Sequence, residues 1–223
     1  TVPIPLVHRT GQGTDDMDAK SSKEKPRSPK RAEMPPAPDG LRMLARNRVA
    51  IEGVTPLVDG GRFAIKRLEG EPLKIEADVF CDGHEKIGAA ILTRPAGEAG
   101  WTETPLVFVE NDRWAGEVVF DRPGPWRYTV IGWRDAFGTW ASDTRKKRDA
   151  GQVIALELKE GRALLDRAVA GKRGTKADWA ELVALISRFD ALPEADGDAR
   201  YELLEQEGTV ALLGRTGPRD ELS

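Results

Sequence analysis

Few residues in this chain have the type and spacing to do chemistry. Of the two histidines, His8 lies near the amino end and His84 sits in the run Asp82-Gly83-His84-Glu85, close behind the single cysteine, Cys81. Two carboxylates beside an imidazole could poise it as a base or a metal ligand. Zinc, however, needs three or four nitrogen, thiolate or carboxylate ligands, and Cys81 is the only further soft donor in sequence reach. His84 therefore reads as an exposed turn histidine. Cys81 reads as a small packed apolar residue, with no histidine partner to activate it. Gly171-Lys172-Arg173-Gly174-Thr175 has the residue types of a phosphate-binding loop but not their order, and it lies between two helical patterns rather than after a strand. Gly11-Gln12-Gly13 lacks the third glycine of a dinucleotide fingerprint. These residues point to no catalytic set, no metal and no cofactor.

The less ordinary feature is tryptophan. Five of the six lie between positions 101 and 140: Trp101, Trp114, Trp126, Trp133 and Trp140. Exposed indoles can serve as flat platforms for sugar faces. Buried ones each remove roughly 150–250 Å² from water, which makes them the largest core contributors a chain with 6% aromatics can field. Core or interdomain packing is the expected role of the set, with Trp101, in the polar run Gly100-Trp101-Thr102-Glu103, the best candidate for exposure. Trp126 and Trp133 lie seven residues apart on one predicted strand, an odd spacing that sends them to opposite faces.

The elements that position these residues follow from periodicity. Leu73, Ile75, Ala77 and Val79 alternate with Lys74, Glu76 and Asp78, the period of a half-buried strand. Asp82-Gly83 and the apolar run Ile87–Thr93 follow, which predicts a hairpin. Further strands are predicted over Arg48–Val54, Leu106–Glu110, Trp114–Asp121 and Trp126–Trp133, separated by Gly- and Pro-rich turns. Past Gly151 the period becomes helical. A first helix carries Ile154, Leu158, Leu165 and Val169 and stops at Gly171. A second is capped by Thr175 with Asp178 three residues on, carries the stripe Trp179, Leu182, Val183, Ile186 and Phe189, and is broken by Pro193. A short helix spans Ala199–Gln206, and Gly214–Ser223 reads as loop. The stripe must cover the sandwich, a sibling helix or a second subunit; packing within the chain is the favoured reading, and the same five residues are the candidate interface positions.

The fold class is thus mainly β with α: an antiparallel immunoglobulin-like β-sandwich at 41–150, then a small bundle-like helical segment at 151–223. Residues 1–40 hold seven of the fifteen prolines and no aromatic residue, and are expected to be a disordered leader. With 34 basic and 37 acidic side chains, net charge −3, the chain lacks the clustered positive charge of a nucleic-acid or membrane-surface binder. No apolar run approaches the ~20 residues of a membrane span, and the start shows no export signal. One cysteine excludes a disulfide framework, and a cytoplasmic protein is expected.

Several runs in one order carry a resemblance. Arg48-Val49-Ala50-Ile51-Glu52-Gly53-Val54-Thr55-Pro56, Val58-Asp59-Gly60-Gly61-Arg62-Phe63 and Ala77-Asp78-Val79-Phe80 come first, with Asp82-Gly83-His84 after them. Gly124 through Asp135, Thr139-Trp140, Lys147 and Ala150-Gly151-Gln152 follow. Together they resemble the amino-terminal part of the α-1,4-glucan:maltose-1-phosphate maltosyltransferases of the α-amylase superfamily, over about residues 42–223. The resemblance implies a sandwich carrying a helical insertion, both beside a catalytic (β/α)8 barrel, and a homodimer formed with their help. The barrel's aspartate nucleophile and glutamate acid/base would transfer maltosyl units from α-maltose 1-phosphate to an α-glucan with retention. No catalytic position of the family falls on this sequence, so the chain alone is expected to be inactive, its barrel supplied in cis or from a neighbouring gene. The family's closing strand is expected to be missing, leaving a sheet edge open. The alternative is a free-standing carbohydrate-binding or scaffolding module.

Overall fold

β1 (Val49–Thr55), β2 (Pro72–Cys81), β3 (Ile87–Pro95), β4 (Thr102–Pro105), β5 (Val107–Glu110), β6 (Arg113–Val119) and β7 (Trp126–Asp135) follow one another before any α-helix forms. The structure, a computed structural model, describes residues 48–223. The leader expected at 1–40 lies outside the described residues. The strands build two four-stranded antiparallel sheets, ordered β1-β2-β6-β5 and β4-β3-β7-β8, where β8 is the two-residue strand Arg219–Asp220. The β-sandwich with a helical segment is therefore the observed fold class.

The alternation in β2 works as the sequence dictates. Leu73, Ile75, Ala77 and Val79 are buried and face Ile91, Leu106 and Val130 across the sandwich. Each fully buried aliphatic side chain contributes about 1.5–3 kcal/mol. On the outward face Arg113 donates to Asp78, to Glu76 and to the carbonyl of Gly53, tying three strands.

The predicted β2–β3 hairpin does not form. β2 pairs with β1 and β6, and β3 pairs with β4 and β7, so Asp82–Lys86 arches from one sheet to the other. Consecutive strands with strongly apolar inward faces gain more by stacking face to face than by pairing edge to edge. The strand expected at Leu106–Glu110 forms as β5, one residue shorter, and β4 ahead of it was not expected. β4 and β5 lie in different sheets, and the buried Leu106 makes the crossing between them.

The loop from Pro56 to Glu71 is long but held. A short 3-10 turn at Asp59–Gly61 and a bridge between Val58 and Phe63 close its first half. The Tyr128 hydroxyl donates to the Pro56 carbonyl at its root, and Gly70 N–H donates to Phe120 O near its return.

Five α-helices follow: α1 (Ala136–Asp149), α2 (Ala155–Gly171), α3 (Lys176–Ala191), α4 (Gly197–Glu205) and α5 (Glu207–Thr216). The helical unit thus begins at Ala136, within the range read from sequence as sandwich. α1 carries Gly138, Thr139, Ser142 and Thr144, poor helix formers with no sustained apolar period, so it is invisible to periodicity. Tertiary contacts build it. Asp135 caps it by accepting from Gly138 N–H at 2.9 Å, and Phe137 and Trp140 enter the helical core. α2 stops where predicted, with Lys172 in the left-handed conformation after Gly171. Thr175 and Asp178 form a reciprocal capping box at the start of α3.

The expectation of loop at Gly214–Ser223 is overturned. α5 runs to Thr216, β8 pairs Asp220 with Arg134 and Arg219 with Asp135, and Ser223 exchanges backbone hydrogen bonds with Gly132 at 2.9 and 3.2 Å. The chain does return to the sandwich, so the sheet edge expected to be wholly open is paired at this end of β7. Short strands of this kind carry little apolar pattern of their own and are set by the edge they join.

Candidate functional site

The outer face of the β4-β3-β7-β8 sheet meets the helical unit in a polar seam. Trp133, on the face opposite Val130, is only 8% exposed although it belongs to neither hydrophobic core. It lies flat over Gly88 of β3, where an added Cβ would stand 2.4 Å from its ring. Only glycine admits the indole there. The Arg219 guanidinium of β8 covers the other side of the ring, 3.5 Å from its centroid.

That guanidinium forks onto Glu103 of β4, with one bond at 3.0 Å. Arg173, in the turn between α2 and α3, reaches the same carboxylate at 3.6 Å. Arg167 of α2 pairs with Asp220 of β8. These groups border a cleft of about 610 Å³ between sheet and helices. A second link lies alongside, where the half-buried Arg134 pairs with Glu85 and, at 3.1 Å, with Glu221. Three arginines and two carboxylates from the sandwich, the helical unit and the returning strand thus pair in the cleft, with one positive charge in excess. Their chemistry is adhesive. Burial lifts the Asp135 carboxyl above the usual range where it caps α1. The seam holds the helical unit against the sandwich.

The sequence-predicted residues fall on both sides of the surface. Of the candidate interface stripe, Leu182 and Phe189 are buried in the core of this chain's own helices, together with Leu185, which the sequence reading passed over. Ile186 packs on that core from its margin. Trp179, 38% exposed, and Val183 remain on the surface, with the Trp179 indole N–H donating to Arg173 O at 2.7 Å. A helix of this width buries a face broader than one stripe, so part of the predicted interface is core.

Among the other tryptophans, Trp140 is buried, donating to Glu157 O at 2.6 Å and pressing on Gly161 of α2. Trp126 is half-buried against Phe120, ring centroids 5.0 Å apart, and Trp114 against Phe108 at 5.6 Å. Trp126 and Trp133 do take opposite faces. Trp101 is exposed at 41%, with Arg94 stacked 4.2 Å from its ring centroid. His84 is exposed in its turn. Cys81 is half-buried beside the sandwich core, where burial pushes its thiol up, away from the reactive thiolate.

Sequence reasoning missed Glu103, Arg173 and Arg219, which meet across large separations and carry no local signature. It also left unremarked the run Arg145-Lys146-Lys147-Arg148, which the structure neutralises residue by residue against Glu205, Asp143, Glu157 and Asp198. Among the described residues no helix is long and apolar enough to cross a membrane.

The amino-acid sequence of the described region is similar to that of known proteins. The family described as "Alpha-1,4-glucan:maltose-1-phosphate maltosyltransferase, domain N/S" matches residues 47–223. An α-1,4-glucan:maltose-1-phosphate maltosyltransferase of Cereibacter sphaeroides is 42% identical over 182 residues, 81% of this chain and 30% of the relative. One from Chlorobaculum tepidum is 38% identical over 171 residues, 77% of this chain and 25% of the relative. One from Myxococcus xanthus is 46% identical over 132 residues, 57% of this chain and 20% of the relative. The chain spans less than a third of the length of these curated relatives. With the family match running over residues 47–223, this chain belongs to the α-1,4-glucan:maltose-1-phosphate maltosyltransferase domain N/S family.

Proposed function

We propose that this chain is the sandwich-and-helix portion of a cytoplasmic enzyme that transfers maltosyl units from α-maltose 1-phosphate to α-1,4-glucans. A (β/α)8 barrel, in cis or from a neighbouring gene, performs the transfer. The single observation that carries the reading is that one family match runs unbroken through both units, across the seam that joins them. In this role the seam of Trp133, Arg219 and Glu103 presents the two units as one rigid surface. The open Trp179 and Val183 then contribute to a homodimer.

A chimera tests it, with residues 47–223 replacing the matched segment of the Cereibacter sphaeroides relative. The chimera should release phosphate from α-maltose 1-phosphate in the presence of glycogen, and the isolated chain should stay at the blank. Release by the isolated chain at the chimera's rate would overturn the reading, as would a folded chimera with none.

The second reading, a free-standing carbohydrate-binding module, is favoured by the exposed Trp101 with its stacked Arg94. Tight glucan binding by the isolated chain, abolished by Trp101→Ala, would support it instead.

A further inference from the structure

The ion pairs of the seam leave donors unused. Arg219, its side chain 9% exposed, spends both terminal nitrogens on Glu103, and its buried Nε–H has no acceptor among the described residues. Arg167 commits one nitrogen to Asp220. Arg173, its side chain 26% exposed, comes no closer than 3.6 Å to Glu103, and its guanidinium donates no hydrogen bond among the described residues. Half-buried guanidinium groups are ordinarily matched by acceptors, because each unpaired N–H forfeits a bond.

All three arginines line the cleft of about 610 Å³ with Glu103 and Asp220. The two carboxylates offset two of the arginines, and Arg173 is the charge left over. Beside it Lys172 is exposed and forms no ion pair among the described residues. The rim is the turn Gly171-Lys172-Arg173-Gly174, which has the residue types of a phosphate-binding loop without their order. The turn is set in advance, since the Trp179 indole N–H holds the Arg173 carbonyl. A receptor fixed before its ligand arrives loses little entropy on binding.

Charge and lining together say what fits. Arginine forks match the oxygens of a phosphoryl group, and a dianion offsets the excess charge. Phosphate alone fills a small part of a cleft of this volume, which is ample for a small organic ligand. Ala170, Pro218 and Leu222 add an apolar wall. Ala170 and Gly171 end α2, where the last carbonyls lack intrahelical donors. Such carbonyls repel a bare anion but accept from hydroxyls.

From this we infer that the cleft is a binding site for a phosphate ester of a small polyhydroxy compound. Its phosphoryl group meets Arg173 and Arg167, and its hydroxyls meet the end of α2. The site is built from this chain's own residues, so the inference stands or falls independently of the proposed transfer activity.

Calorimetric titration of the 223-residue chain at fixed ionic strength tests it, with α-glucose 1-phosphate, inorganic phosphate and glucose as probes. The ester should bind saturably with a Kd below about 1 mM, inorganic phosphate at least about tenfold more weakly, and glucose not at all. Arg173→Gln should weaken binding of the ester by at least about tenfold, whereas Asp220→Asn, which frees Arg167, should tighten it. Arg62→Gln, the same loss of charge on the β1–β2 loop, should leave it unaltered. Arg173→Gln breaks no side-chain hydrogen bond, so its melting temperature without ligand should match that of the natural chain. Should it unfold, Arg167→Gln carries the same expected loss of affinity. Absence of saturable ester binding overturns the inference. So does glucose or inorganic phosphate binding as tightly as the ester, or an equal loss in Arg173→Gln and Arg62→Gln.

Discussion

The guanidinium of Arg219 rests 3.5 Å from the ring centroid of Trp133, two residues 86 positions apart in the chain. This contact joins the strand that returns from the helices to the strand that enters them. Arg219 also forks onto Glu103, so replacing it by alanine uncovers the indole and leaves a carboxylate with only Arg173 nearby. Arg219→Ala should cost about 2–4 kcal/mol in urea denaturation. Arg219→Lys should recover less than half of that, since an ammonium keeps the charge but neither the planar stack nor the fork.

Gly88 sets the other side of the same ring. With an added Cβ placed 2.4 Å from the indole, Gly88→Ala must push Trp133 toward Arg219. A loss of about 1–3 kcal/mol is expected, measured by thermal denaturation. The paired variant Gly88→Ala/Trp133→Leu should lose less than the sum of its two singles, because the clash is gone.

The stripe on α3 separates stability from association. Leu182→Ala should cost about 2–5 kcal/mol, because Leu182 is buried among the helices. Trp179→Lys and Val183→Glu should leave the melting temperature within a degree or two, a shift of under about 0.5 kcal/mol. In light scattering these same two substitutions should lower the mass of the assembled enzyme toward that of a single copy. An unchanged mass would remove this face from the proposed dimer.

The α3 cap should show in acid. Asp178 accepts from the Thr175 backbone N–H at 2.8 Å, from its hydroxyl, and from Arg215 at 2.9 Å, which together hold its carboxyl down to about 2. An unfolded aspartate titrates near about 3.9. The pKa is depressed on folding, so the stability this carboxylate contributes is present above about pH 4 and is lost as pH falls toward 2. Urea midpoints measured from pH 5 to pH 2 should fall more steeply for the natural chain than for Asp178→Asn. Parallel curves would show that the cap does not titrate.

Trp140 ties α1 to α2. Trp140→Phe keeps most of the apolar area but leaves the buried Glu157 carbonyl without its donor at 2.6 Å, and should cost about 1–3 kcal/mol. Circular dichroism of that variant should show the loss concentrated in helix, because Trp140 packs in the helical core and not in the sandwich.

Local pattern by itself determined the sandwich strands, the caps of α2 and α3, and the family to which the residues belong. Alternation in Leu73–Val79 and the Thr175–Asp178 spacing are short-range facts, and the physics they report, burial of one strand face and capping of free N–H groups, acts within a few residues. Tertiary structure alone decided the rest. β2 and β3 arch between sheets because each finds better edge partners far away in the chain. α1 forms because Phe137 and Trp140 find a core built by α2 to α5, not because its own sequence favours helix. β8 exists because β7 offers an edge to pair. The seam of Glu103, Trp133, Arg173 and Arg219 has no spacing to read: its members meet over separations of up to 116 residues, and only the folded arrangement of sheet and helices brings their charges within reach.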